Sequence, residues 1–148
     1  MDIPSITISV QQPWAWLIVN GFKDVENRSW ALPLKHLGWV LIHAGLKPRF
    51  SFDGAREILD YMHAKHGLPG GLRYPEDGRG AGGIVGMARL VGCTRDQVSS
   101  WAAPGQWHWQ IAEARPLPFM QCKGQLGFFR VDYRPGADAR GSLVEVGG

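Results

Sequence analysis

Short runs of alternating apolar and polar residues lie on both sides of the one long helical pattern in this chain. The alternation predicts strands at residues 6–10, 24–30 and 38–44 before that pattern, and at 84–92, 106–112 and 126–133 after it. The long helix is predicted over residues 52–66, and a shorter one runs from Pro13 to Gly21. Strands on both sides of a helix predict a small α+β fold. We expect a mixed or antiparallel β-barrel of about five or six strands with two or more flanking helices, and not a parallel βαβ sheet.

The length and the positions of Pro and Gly predict a single domain. The chain has 148 residues, enough for one ordinary domain with a real core and too few for two. We predict that the domain covers residues 5–133. Residues 134–148 are rich in Gly and small side chains, so we expect a flexible C-terminal tail. Residues 67–83 carry many Gly with interspersed Pro and predict a long mobile loop.

The charge pattern permits a polyanionic partner without demanding one. The formal net charge is +3 and the sequence pI is near 9.1, with Lys, Arg and His concentrated in residues 35–49 and 73–95. No secretory signal and no apolar run of ~20 residues is visible, so we expect a cytoplasmic protein that does not enter a membrane. Cys93 and Cys122 lack metal-type spacing and are expected to be reduced thiols. Walker, dinucleotide and metal-ligand patterns are missing from the sequence, so no cofactor and no metal are expected.

The segment ISVQQPWAWLIVNGFKDVENRSW, residues 8–30, carries the most specific pattern in the chain. Its pieces are a strand, the helix start Gln12-Pro13-Trp14-Ala15 and the spacing Gly21-x-Lys23-x-x-Glu26-x-Arg28. With the later strand at 38–44 and the CKGQLG run at 122–127, this segment resembles the ASCH (activating signal cointegrator homology) domain family. The resemblance covers about residues 5–132. It implies a PUA-like barrel and a link to RNA metabolism, by RNA modification, nucleic-acid binding or, in some members, hydrolysis.

Three charged residues of that spacing are the first site candidates. Lys23 has the chemistry to pair with a phosphate, Glu26 to accept a proton, and Arg28 to fork onto a phosphate or a base edge. In a regular strand Lys23 and Glu26 would point to opposite faces, so their heads converge only if the chain bends after Gly21. If it does not, Glu26 and Arg28 are a surface pair worth under about 1 kcal/mol.

Further ligand-binding candidates surround this group in our interpretation. Trp14 shares the apolar face of the short helix and is assigned to the core. Trp16 faces the other way and is a candidate either to stack on a base or to cover the mouth of the barrel. Gln12 is placed to contact a base through its amide. His43 ends a strand and is either an acid or base near neutrality or a structural histidine. Arg73 and Arg79 are the charges that the 67–83 loop would bring over the cleft.

Three functions fit these residues. The first is a binding domain that holds RNA or a nucleotide in a basic cleft around the spaced motif. The second is a hydrolase on single-stranded RNA or a modified nucleoside, with Lys23 and Glu26 as its acid and base. The bacterial acetylcytidine amidohydrolases, a similar ASCH-like class, have their catalytic Lys at the position that Lys23 matches, but a Thr where this chain has Glu26. The third is a protein-interaction module, including a homodimer, that uses an exposed Trp surface.

Overall fold

The computed structural model describes residues 2–45, 60–68 and 82–134, and these form one mixed six-stranded sheet with helices beside it. The elements in chain order are β1 (Ile6–Val10), α1 (Trp14–Val19), β2 (Val25–Arg28), a 3-10 helix (Leu34–His36), β3 (Gly38–Ala44), β4 (Gly83–Thr94), β5 (Trp107–Gln121) and β6 (Phe128–Arg130). Residues 60–66 are also helical. The remainder of the predicted 52–66 helix, Arg73 and Arg79, and the tail after residue 134 lie outside the described residues.

The strand order in the sheet is β2-β5-β4-β3-β1-β6. Only β1 and β3 are parallel among these neighbours, and the other four pairings are antiparallel. This arrangement confirms the predicted small α+β class with a mixed sheet. Over the described residues, however, β2 and β6 are its edges and do not pair, so the expected barrel is not closed. Closure would need a ladder between these two strands, but each is paired on one side only, the four-residue β2 with β5 and the three-residue β6 with β1.

Aromatic side chains join the two ends of the sheet where backbone pairing does not. Trp30, just after β2, lies edge-on to Trp109 of β5 at 4.8 Å and to Phe128 of β6 at 6.0 Å between ring centroids. Trp109 is fully buried, and its indole Nε1 donates to the Trp30 carbonyl at 3.1 Å. The sheet therefore curls around one core, to which Ile8, Val10, Ile18 and Ile42 also belong.

The helix α1 packs against β3, β4 and β5 of the sheet. α1 packs its buried residues Ala15, Ile18 and Val19 on the sheet, while Leu17 forms a second cluster with Met62 and Leu68. That second cluster fixes the helical residues 60–66 beside α1. In the described part of the chain, no helix is long and apolar enough to cross a membrane.

Candidate functional site

The turn after α1 decides where Lys23 points. Gly21 has φ +82°, a left-handed conformation that glycine adopts without steric cost. The carbonyl of Leu17 then accepts from both the Phe22 and Lys23 amides, at 2.9 and 3.1 Å. Lys23 thus lies in this turn, two residues before β2 begins, and strand alternation does not govern its direction. Its side chain folds inward and its Nζ donates to the Val25 carbonyl.

Lys23, Glu26 and Arg28 meet in one ionic cluster, in which Lys23 and Glu26 are buried and Arg28 is partly buried. Lys23 Nζ is 3.7 Å from Glu26 Oε1, and Arg28 Nε donates to Glu26 Oε2 at 2.7 Å. Arg28 Nη2 also donates to the Ser9 carbonyl at 2.5 Å, which links β2 to β1 across the open side of the sheet. Lys23 is 5% exposed and Glu26 9%. The bend needed to bring the three heads together is therefore present.

Burial dominates the ionisation of Lys23. Loss of solvent lowers the pKa of Lys23 below its usual 10.5, and the attraction of Glu26 only partly offsets that effect. The charged form of Lys23 is thus less stable in the fold than it is in water. A buried cation retained at a cost is the pattern expected of a group that serves binding or chemistry.

The cluster lines a cavity of about 810 Å³. Its walls combine the three charged groups with the rings of Trp14, Tyr61 and Trp101 and with two polar residues of the 60–66 helical segment, Lys65 and His66. Lys23 Nζ lies 5.9 Å from the Trp14 ring centroid, so aromatic and cationic groups are adjacent here.

Another wall of the cavity is a loop that β2 holds in place. Asn27 Nδ2 donates to the Trp101 carbonyl at 3.0 Å, and Asn27 Oδ1 accepts from the Ala103 amide at 2.9 Å. Ser99 Oγ donates to Asp24 Oδ1 at 2.5 Å. The strand that carries Glu26 and Arg28 therefore also positions the aromatic wall facing them.

Trp101 of that loop stacks on His66 of the 60–66 helical segment. Their ring centroids are 3.6 Å apart at an interplanar angle of 11°, and His66 Nδ1 lies 2.6 Å from Ser100 Oγ. Burial lowers the pKa of His66, and the nearby cations Lys65 and Lys23 lower it further. At neutral pH His66 is therefore an uncharged ring that extends the aromatic surface of Trp101.

Two of the predicted binding residues, Gln12 and Trp16, do not line the cavity. Gln12 is buried, and its Oε1 accepts from the Trp16 amide at 2.8 Å at the start of α1. Trp16 packs on Phe22, 6.1 Å between centroids, and does not line the cavity. Trp14, assigned to the core from its spacing, lines the cavity while it also touches the core. The short helix thus turns the other tryptophan toward the cluster.

His43 is buried between two hydrogen-bond partners, as the structural interpretation of this residue predicts. Its Nε2 is 2.8 Å from the Cys122 carbonyl, which can only accept, so the ring carries its proton on Nε2. Its Nδ1 then accepts from Ser9 Oγ at 3.0 Å. His43 is 2% exposed and does not line the cavity. Within residues 2–45, 60–68 and 82–134, no group of three His, Cys, Asp or Glu side chains could hold a metal ion.

The model of the ASCH domain matches residues 8–119, which include α1, the ionic cluster and the loop that bears Trp101. The chain belongs to the ASCH family. Human activating signal cointegrator 1 is 33% identical over 87 residues, which are 58% of this chain and 14% of the human protein. This ASCH chain therefore matches only a small part of that relative's length.

Proposed function

We propose that this ASCH domain binds single-stranded RNA and seats one nucleotide in the cavity around Lys23, Glu26 and Arg28. One observation carries the proposal: the buried Lys23 ammonium, the partly buried Arg28 guanidinium and several aromatic rings line the same cavity. Its volume of about 810 Å³ is within the range of small-ligand sites. Rings stack on a base of any sequence, and cations bind the phosphates, so this combination is typical of sites for single-stranded nucleic acid.

Some of the lining groups would contact the base of the nucleotide, and others would contact the RNA phosphates. Trp14 and Trp101 offer ring faces for a base, and Glu26 is the acceptor for its N–H groups. Lys65 is exposed at the cavity wall, with its ammonium 5.6 Å from the Tyr61 ring, where it can reach a phosphate outside the cavity. The RNA link of the ASCH family supports RNA over other anions.

A matched pair of lysine variants tests the proposal. We expect a fluorescein-labelled U-, C- and A-containing hexamer RNA to bind at low salt, with an affinity that falls steeply as salt rises. Lys65→Ala removes one phosphate contact and reduces the slope of log affinity against log salt by about 1. Lys35→Ala removes the same charge from the exposed 3-10 helix, which does not line the cavity, and leaves the slope unchanged. Equal effects of the two variants, or no binding at low salt, would refute the cavity as the RNA site.

A hydrolase is the second candidate, and it has an observation of its own in its favour. Lys23 has a lowered pKa and lies 3.7 Å from Glu26, so an amine and a carboxylate face a cavity large enough for a nucleoside. Glu26 occupies the position where acetylcytidine amidohydrolases have a Thr, which favours binding over that particular chemistry. Turnover of single-stranded RNA or of acetylated cytidine by the folded protein distinguishes the hydrolase from the binding domain.

A further inference from the structure

The ionic cluster presents its hydrogen-bonding groups in a fixed order. Glu26 lies in the middle, with Lys23 beside Oε1 and Arg28 beside Oε2. Read across the cavity, the order is donor, acceptor, donor. Because Lys23 and Glu26 are buried and Arg28 is fixed by its 2.7 Å bond to Glu26, the order is set before any ligand arrives.

Each of the three groups has hydrogen-bonding capacity beyond the contacts already described. An ammonium carries three N–H groups, and Lys23 uses one of them on the Val25 carbonyl and lies 3.7 Å from Glu26 as an ion pair. A guanidinium carries five, and Arg28 uses two on Glu26 and the Ser9 carbonyl. A carboxylate accepts about four bonds, and Glu26 accepts one from Arg28 beside its ion pair with Lys23. The cluster can therefore donate on either side and accept in the middle.

We infer that this cavity selects uracil, through Lys23 and Arg28 on the two carbonyl oxygens of the base and Glu26 on the N3–H between them. The inference rests on the proposed function and names the base it prefers. Uracil presents O4, N3–H and O2 in the order acceptor, donor, acceptor, which is the complement of the cluster. Stacking on Trp14 or Trp101 holds the ring but does not distinguish bases, so the edge contacts decide the choice.

The other bases each bring at least one mismatched group to the cluster. Cytosine and adenine put a ring nitrogen acceptor in the middle, against the Glu26 carboxylate. Guanine has a middle N1–H but places its amino group against a cation. Each such mismatch leaves buried polar groups unpaired or opposed, a situation that sites built for hydrogen bonding reject strongly.

Competition with mononucleotides tests the inference on the wild-type protein. UMP, CMP, AMP, GMP and N3-methyl-UMP are titrated against the labelled hexamer, and displacement is followed by fluorescence anisotropy. We expect UMP to compete about tenfold more tightly than the other three bases. N3-methylation removes the one donor of the edge without changing the ring face, and we expect it to abolish that advantage.

A matched pair of carboxylate variants places the effect at the cluster. Glu26→Gln has one acceptor oxygen for which the cations and N3–H compete, so the UMP preference should fall to near one. Glu113→Gln changes a carboxylate on the exposed Arg89 pair outside the cavity and should keep it. Thermal melting shows whether Glu26→Gln is folded, and the N3-methyl comparison decides the matter if it is not.

The outcomes separate this inference from the proposed function. If the hexamer binds but N3-methyl-UMP competes as well as UMP, or CMP or GMP does, the choice of uracil is wrong and RNA binding stands. If the hexamer binds and no mononucleotide displaces it at millimolar concentration, the cavity does not select a base and the inference also fails. If the hexamer does not bind at low salt, the proposed function itself is wrong.

Discussion

Glu26→Ala is expected to lower the free energy of unfolding by about 3 kcal/mol, the lower end of the cost of breaking a buried ion pair. The carboxylate is shared by two cations, and its removal leaves Lys23 buried and Arg28 without its 2.7 Å partner. Part of the cost is moderated because the Arg28 side chain retains 22% exposure to water. Urea denaturation followed by Trp fluorescence measures the change.

Glu113→Ala is the control for that experiment. Glu113 accepts from Arg89 at 2.8 Å, a pair comparable in length, but both side chains are exposed, at 39% for Arg89 and 50% for Glu113. Exposed pairs contribute under about 1 kcal/mol, so this variant should unfold close to wild type. Equal losses from the two substitutions would mean that the Glu26 cluster is a surface pair and not a buried one.

Lys23→Met is expected to reduce RNA binding by about tenfold or more, because a hydrogen bond to a charged group contributes about 1.5–3 kcal/mol. The same substitution is not expected to reduce the stability of the fold. In the unbound protein the buried ammonium costs more through lost solvation than it gains from Glu26, as the direction of its pKa shows. Methionine fills the same space without that cost, and Glu26 keeps Arg28 as its partner.

The lowered pKa of Lys23 also predicts how the stability of the protein changes with pH. The folded pKa of Lys23 lies below 10.5, so the unfolded chain binds more protons between the folded pKa and 10.5. The Lys23 contribution to wild-type stability therefore rises with pH through that window, and the variant lacks this rise. We expect the variant to be at least as stable at pH 7, with a difference that shrinks toward pH 10.5. A less stable variant at pH 7, or one that binds RNA normally, would contradict a functional role for Lys23.

Local patterns in the sequence were enough to predict most of the sheet. Alternation in residues 6–10 and 38–44 corresponds to β1 and β3, because both strands bury apolar residues against one core. Residues 115–119 contain Pro116 and Pro118, which are tolerated in a sheet only at an edge or a bulge. They belong to β5, but β2 pairs only as far as Gln110, so this stretch is indeed an edge that tolerates proline.

The sequence allowed only one part of the site to be predicted, because its two walls come from distant parts of the chain. The spacing from Gly21 to Arg28 pointed to the ionic cluster, although whether the heads met depended on β2 starting at Val25. Asn27 reaches Trp101, 74 residues away, and no local pattern indicates such a contact. The roles predicted for Trp14 and Trp16 are the reverse of those in the structure. A six-residue helix can turn either ring toward a neighbour, and only the tertiary fold decides which neighbour is there.

The most direct test of the cavity as an RNA site is the indole N–H region of the NMR spectrum, where each of the seven tryptophans gives one signal. A titration with unlabelled hexamer RNA should shift the Trp14 and Trp101 signals, assigned by single Trp→Phe substitutions. The Trp39 signal should stay in place, because this ring packs 5.6 Å from the Arg115 guanidinium and does not line the cavity. Bound RNA that moves Trp39 and leaves Trp14 and Trp101 unshifted would contradict the account.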